Sequence, residues 1–252
     1  SISSANTVGA HRLAELIERY GMGVLSQTMD ELLDYTERRT RAEIRKIPPG
    51  TYRAEDFLDD DGITEAPVRI AVTLTVDGDR VVFDLSGCDP QRQGPANCTR
   101  TMSFAGVAFI LKCLIAEDIP FNDGFYRTVE MIAPEGSVVN ARHPAPVAGG
   151  WEVTMRLAET VLRALAPAIP ARVVSASKGC ICNIAFGGPD PRTGSDYTFY
   201  ETIAGGHGAR PFKDGMDGVQ THVHNTENSP VEETEVNYPV RILRYELIQD
   251  SG

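Results

Sequence analysis

Apolar positions along the chain change period several times, and each change marks an element. Leu13, Leu16, Ile17 and Tyr20 recur at helical spacing, and the pattern predicts helix over 6–45, broken at Gly21 and Gly23 and resumed at Met29, Leu32, Leu33 and Thr36. The second helix carries charges of alternating sign (Glu37, Arg38, Arg41, Glu43, Arg45), which predicts a solvated face laced by i, i+4 pairs. Pro48-Pro49-Gly50 stops it. The period then falls to two. Val68, Ile70, Val72, Leu74 and Val76, the turn Asp77-Gly78-Asp79, and Val81, Phe83 and Leu85 together predict a β-hairpin. Asp59-Asp60-Asp61-Gly62 lacks the ligand spacing of a calcium loop and reads as a solvated turn.

Further along, 100–116 is apolar on most sides and predicts a buried helix. A strand is expected through Val129 and Ile132, and a third long helix over 153–165 buries Val153, Leu157, Val161 and Leu165 before Pro167 and Pro170 close it. Strands are predicted at 181–186 and 197–203, about the turn Gly187-Gly188-Pro189-Asp190, and at 240–248, where Ile242, Arg244, Glu246 and Ile248 alternate with apolar neighbours. The fold class is α+β: mixed helices, an antiparallel or mixed sheet, and a loop-rich C-terminal third. One segment, 1–252, is expected to comprise a helical region (1–50), an α+β body (51–200) and a Gly-rich loop with a terminal strand (201–252). The first residue is not Met and the last are Asp250-Ser251-Gly252, so a segment of a longer polypeptide is expected.

Composition narrows the function classes. With 252 residues, 42% of them hydrophobic and 23% charged, the chain can bury a sizeable core and is not a disordered tract. Lys and Arg number 24 against 35 Asp and Glu, a net charge of −11 that disfavours nucleic acid as a general partner. The longest apolar run, 104–114, is interrupted by Lys112 and is too short to span a membrane. Residues 1–9 have neither the basic nor the apolar region of a signal peptide. Five cysteines without C-x-x-C zinc spacing suggest a reducing, cytoplasmic setting, with Cys88 in the core and Cys180 and Cys182 as core thiols on one strand face.

The densest polar constellation lies in 201–235, a connection long enough to suggest function. Gly205, Gly206 and Gly208 could turn backbone amides into an anion-binding concavity around His207, although Walker A spacing and its lysine are absent. His222 and His224 flank Val223 on a short predicted strand at 219–223, which would point both imidazoles one way. Two such imidazoles can ligate a metal with Asp214, Asp217, Glu232 or Glu235, or simply be two hydrogen-bonded surface histidines. Asn225, Asn228 and Ser229 suit Asx-type loop bonds. No serine nucleophile elbow is present.

These stretches resemble the hydantoinase B/5-oxoprolinase family. The resemblance rests on Gly205-Gly206-His207-Gly208-Ala209-Arg210-Pro211, on Asp214-Gly215 and Asp217-Gly218-Val219, and on His222, Asn225-Thr226, Asn228, Pro230, Glu232, Glu235 and Pro239. It extends upstream through Phe83-Asp84-Leu85-Ser86-Gly87, Pro90-Gln91, Gly94-Pro95 and Asn97, then Pro120, Asn122, Gly124 and Pro134-Glu135-Gly136-Ser137. Asp250-Ser251-Gly252 is similar to the start of a Gly/Arg-rich segment of the family. Position 88 is Cys where the family often has Thr, position 207 is His where it often has Gly, and position 224 is His where it often has Thr. Of the three C-terminal histidines, His222 therefore matches the pattern.

The resemblance implies the B-type subunit of an ATP-dependent cyclic amidase. A hydantoinase A-like ATP-binding subunit would phosphorylate a carbonyl oxygen of a small cyclic amide, and the B subunit would process the activated intermediate, the two forming a hetero-oligomer. It implies His222, Asp217 and Glu232 as catalytic candidates, and Gly205, Gly206, Gly208, Arg210, Asp214 and Asn225 as substrate- or phosphate-binding candidates. A divalent metal is implied on an N-terminal His/Asp cluster outside this segment, with ATP on the partner. A related ketone carboxylase subunit, or a docking segment of such an assembly, is the alternative; a companion with its own zinc module would favour the carboxylase.

Overall fold

The computed structural model describes residues 2–116 and 118–248. Its centre is a four-stranded sheet in the order β1-β2-β3-β4, made of Gly50–Leu58, Val68–Asp77, Arg80–Asp84 and Val129–Ile132. The first three strands are antiparallel and β4 runs parallel to β3. The hairpin appears in the expected register, with Val76 opposite Val81 and Leu74 opposite Phe83. Strand β1 has no apolar alternation to announce it, because its residues alternate between exposed and only half-buried positions along the sheet edge.

Helices α3 (Arg100–Leu114) and α5 (Gly150–Leu165) pack against each other, and α5 also packs on β1 and β2. Thr99 caps α3, its hydroxyl accepting the Met102 N–H. Where the two helices meet, a Cβ on Gly106 would lie 2.8 Å from Thr154 Cγ2, so glycine permits the close approach. Leu111, Leu157, Val161, Ile70, Leu74 and Phe83 join one core between the helices and the sheet.

The predicted N-terminal pair is α1 (Ile2–Tyr20) and α2 (Met22–Ile44), parted at Gly21, where φ is +80°. Gly23 lies inside α2. The apolar stripe of α1 is not buried: Leu13, Leu16 and Tyr20 are 40%, 42% and 49% exposed. The charged face of α2 is partly engaged, with Arg41 and Arg45 both bonding Asp79 of the hairpin turn. A short helix, α4 (Asp123–Tyr126), starts at Asn122, whose side chain accepts the Gly124 N–H.

The acidic turn is not wholly solvated. Asp61 is buried and its Oδ1 accepts the N–H groups of Ile63 and Thr64 together with the Thr64 hydroxyl. Those donors stabilise the carboxylate and lower its pKa to about 2.

The C-terminal third departs most from expectation. A hairpin forms from β5 (Cys182–Pro189) and β6 (Asp196–Ile203), so the turn falls at 190–195, one step beyond the Gly-Gly-Pro stretch. Asp190 holds this turn, its Oδ1 accepting the Arg192 N–H. Cys180 and Cys182 are not core thiols: Cys182 is exposed, and the two sulfurs approach to 3.2 Å at the start of β5. The expected strand at 219–223 is instead a turn, and 240–248 has no strand pairing. Alternation alone could not supply a neighbour with free edge groups there. A helix, α6 (Val231–Asn237), occupies the acidic run read as loop.

Candidate functional site

The Gly-rich loop folds onto the segment 175–178. Strand β7 (Gly206–His207) pairs with β8 (Met216–Asp217), and the Gly208 N–H donates to the Ala176 carbonyl. A Cβ on Gly208 would lie 2.2 Å from that carbonyl oxygen, and one on Gly205 would lie 2.4 Å from Lys178 Cδ. Close packing thus accounts for these two glycines, against backbone at Gly208 and against the Lys178 side chain at Gly205, and the Gly208 amide is engaged by Ala176 rather than free for an anion. The loop still borders a cleft of about 440 Å³ with Ser177, Lys178 and Asp217 along its walls.

His222 sits in the turn that follows, with φ +56°. A left-handed conformation is uncommon outside glycine and is held only by surrounding structure. That structure is α5. His222 Nε2 lies 3.4 Å from Glu159 Oε1, and the imidazole is 3% exposed. Its carboxylate partner is thus Glu159, and the two acids grouped with it as catalytic candidates are exposed, Asp217 in β8 and Glu232 in the first turn of α6.

Glu159 is itself restrained. Its Oε1 accepts the Ser177 N–H at 3.0 Å and the Ser177 hydroxyl at 2.5 Å, and its Oε2 meets Arg156 Nη1 at 2.9 Å. Burial pushes the carboxyl pKa up, but the bonds from His222 and Ser177 and the Arg156 charge outweigh it and leave the pKa lowered. Glu159 is therefore an anionic anchor. With Nε2 turned toward it, His222 presents Nδ1 without a protein partner among the described residues.

His207 lies beside His222, with ring centroids 6.2 Å apart. Burial, then the nearby His222 and Arg210, lower the His207 pKa despite its contact with the Gly208 carbonyl. His207, His222, Arg210 and Arg172 share a second cleft of about 220 Å³. Its charged lining residues are cationic, which suits an anionic group. The other sequence candidates lie outside this cluster. Asp214 and Asn225 are exposed, and Asn228 and Glu235 hold the loop by accepting the N–H groups of Ala204 and Ile242. His224 points elsewhere than His222, into a separate apolar pocket.

Glu159, Arg156, Ser177 and Arg172 were not legible as site residues. The one available signal was the stripe Glu152, Arg156, Glu159 at i, i+4, i+7 on the polar side of an otherwise buried helix. Among the described residues, no group of three or more His, Cys, Asp or Glu side chains is placed to hold a metal ion.

A carboxylate-anchored imidazole on a strained turn, beside a cationic cleft and a Gly-lined one, is an arrangement chemically able to move a proton. The chain belongs to the hydantoinase B/oxoprolinase family, whose model matches residues 1–252. It is 33% identical to the caprolactamase subunit beta of Pseudomonas jessenii, over 98% of this chain and 44% of that protein. It is 32% identical to 5-oxoprolinase 1 of Arabidopsis thaliana, over 99% of this chain and 20% of that protein. The crystal structure of the ATP-dependent caprolactamase from Pseudomonas jessenii superposes with a TM-score of 0.86 at 31% identity, over 99% of this chain and 44% of that one. Acetone carboxylase shares the fold, with a TM-score of 0.78 at 17% identity. The chain spans less than half the length of these relatives. The stretch 250–252 that contributed to the resemblance lies outside the described residues. No described helix is long and apolar enough to cross a membrane.

Proposed function

We propose that this chain is part of the B-type subunit of an ATP-dependent cyclic amidase, acting with a hydantoinase A-like ATP-binding subunit. The observation that carries the reading is the Glu159–His222 pair, a buried imidazole in a left-handed turn with its Nε2 3.4 Å from a restrained carboxylate. The family relationship supplies the reaction class, because a relative so closely superposable is an ATP-dependent caprolactamase.

An amide resists water because resonance stabilises it, and phosphorylation of its oxygen leaves an electrophilic carbon and a competent leaving group. In this scheme His222 Nδ1 takes a proton from the water that attacks that carbon, the C–N bond of the tetrahedral adduct then breaks with that proton returned to the departing ring nitrogen, and a second water displaces phosphate from the resulting acyl phosphate. Glu159 holds the ring in the tautomer with hydrogen on Nε2 and stabilises the imidazolium that forms. Arg210 and Arg172 face the same cleft and suit the phosphoryl group. Asp217 and Lys178, both in the wall of the Gly-lined cleft, would orient substrate. Gly205, Gly206 and Gly208 shape that cleft, while Glu232, Asp214 and Asn225 remain solvent-facing positions available to a partner or substrate. A divalent metal, if the subunit uses one, is assigned to ligands outside these residues, and no step here is routed through it.

The test is reconstitution. The full chain, copurified with its ATP-binding companion, is expected to couple ATP hydrolysis to ring opening of ε-caprolactam, hydantoin or 5-oxoproline. ATP-dependent carboxylation of a ketone by the same assembly, with no ring opening, would overturn the reading.

A further inference from the structure

The chain has five cysteines, and the structure sets two of them apart. Cys98 is buried beside the Thr154 hydroxyl. Cys88 is satisfied by backbone, its Sγ accepting the Ala71 N–H and donating to the Ala71 carbonyl, each at 3.3 Å. Cys113 lies in the last turn of α3. Cys180 and Cys182 differ from all three: their sulfurs stand 3.2 Å apart, one thiol hydrogen-bonded to the other, with Cys182 exposed and Cys180 half-buried. Neither takes part in the chemistry assigned to His222.

The surrounding fold imposes this approach. Residues i and i+2 of an extended chain share a face, but two strand steps span about 6.6 Å, near the upper limit of what a disulfide bridges. Here the chain bends at Cys180 and enters β5 at Cys182, which brings the two side chains together. The backbone on each side of the bend is held. The Gly179 N–H donates to the Ser177 hydroxyl at 3.0 Å, and the Gly179 carbonyl accepts from Arg156 Nη2 at 3.3 Å. The Ile181 N–H, between the two cysteines, donates to the Glu152 carboxylate at 3.1 Å, and Cys182 faces Ile203 across the hairpin.

We propose that Cys180 and Cys182 form a reversible dithiol–disulfide site whose oxidant is a small-molecule disulfide, RSSR. The proposal goes beyond the cyclic-amide reading and does not depend on it. Cys182 is the exposed sulfur and the one a reagent reaches first. Its thiolate attacks one sulfur of RSSR, forming Cys182–S–SR and releasing RS⁻. The Cys180 thiolate then attacks the Cys182 sulfur, closing the internal disulfide and releasing the second RS⁻. The two thiol protons end on the two released thiolates, giving two RSH, and two electrons pass from the cysteine pair to RSSR. Burial, then the hydrogen bond and charge of Cys182 and the charge of Glu152, push the Cys180 thiol up to about 11. Cys180 is therefore the resolving partner and not the first to attack. Capping Cys182 removes that residue's contribution to the shift, and the second step joins sulfurs that already touch within one molecule.

The full chain, first reduced, is equilibrated with mixtures of reduced and oxidised glutathione, trapped with acid and N-ethylmaleimide, digested with trypsin and weighed by mass spectrometry. The peptide 179–192 carries both cysteines and no other. It should appear two hydrogens lighter and free of glutathione, and dithiothreitol should reverse the change. Because the fold holds the sulfurs together, the oxidation constant against glutathione should be at least about tenfold larger for the folded chain than for the chain in urea. Cys180→Ser should stop at a glutathione adduct on Cys182, and Cys182→Ser should leave Cys180 largely unmodified. Circular dichroism establishes that each variant is folded, and the unaltered chain alone decides the case if one is not. Persistence of both free thiols, glutathione on both cysteines in place of the internal bond, or equal constants for folded and unfolded chain would overturn the proposal. The readout needs neither ATP, companion nor turnover, so failure here and failure of the amidase reading are separate results.

Discussion

His222 Nε2 and Glu159 Oε1 stand 3.4 Å apart although the two residues are separated by 63 positions in the chain. The contact ties a loop-borne imidazole to the last polar residue of a stripe on α5. It also fixes a backbone conformation that His222 would not hold by itself. Loop position and ring orientation are thus set by the same bond.

The role of Glu159 separates orientation from stability. In the reconstituted assembly, Glu159→Gln keeps the side-chain shape and the capacity to accept from Ser177 but removes the charge that stabilises an imidazolium. Turnover is expected to fall about 10²-fold, within the range for general acid–base assistance. Steady-state kinetics, with melting temperature alongside, provide the check. A loss of activity no larger than the loss of stability explains would make Glu159 structural.

Asp61 makes an acid-stability prediction. Its folded pKa is lowered from 3.8 to about 2, chiefly by the Thr64 and Ile63 amides. A group depressed in the folded state contributes stability that is present above its unfolded pKa and is lost as pH falls through the folded one. The contribution of this carboxylate should therefore be full near neutrality and decline between about pH 4 and pH 2. Asp61→Asn should lower the melting temperature at pH 7, and the gap between variant and parent should close toward pH 2. A gap independent of pH would show that shape, and not charge, holds the turn.

Gly208→Ala tests the packing of the Gly-rich loop. The added carbon would fall 2.2 Å from the Ala176 carbonyl oxygen, so backbone must move. A loss of about 1–3 kcal/mol is expected from overpacking of this kind. Gly188→Ala has open space around its Cβ and should be nearly neutral by the same denaturant titration. Equal effects at the two positions would contradict the close approach.

The core prediction is conventional in size and specific in place. Leu157 is fully buried between α5 and the sheet, and Leu157→Ala should destabilise by about 2–5 kcal/mol. Leu13→Ala, on the exposed stripe of α1, should change stability by less than about 0.5 kcal/mol in the same chain. Chemical denaturation of both variants measures the contrast.

Periodicity served where one element owned its own pattern. The hairpin around Gly78 and the helices α3 and α5 follow from alternation and helical spacing that their burial bears out. It failed where neighbours decide. Residues 240–248 alternate as a strand would, yet no described strand pairs with them, and β1 pairs with β2 despite a polar sequence. The stripe of Leu13 and Leu16 was equally legible, but no described element covers it. At the site, the glycines and His222 could be singled out from the chain, because special backbone and imidazole leave a local trace. Glu159 could not, because its partnership depends on a turn folding back over α5, and a lone acid on a polar helix face resembles any solvated one. The same turn sends His222 and His224 into different clefts, where a strand would have pointed them one way.

The most direct measurement compares His222→Ala with His224→Gln in the reconstituted assembly, recording turnover and melting temperature together. If His222 is the base held by Glu159, His222→Ala should lower turnover by about 10²–10⁴-fold while a folded, companion-bound chain remains. His224→Gln, which keeps a hydrogen-bonding group in the apolar pocket, should retain most of the activity. Retention of turnover by a folded His222→Ala chain, or a loss that tracks its unfolding, would contradict the account.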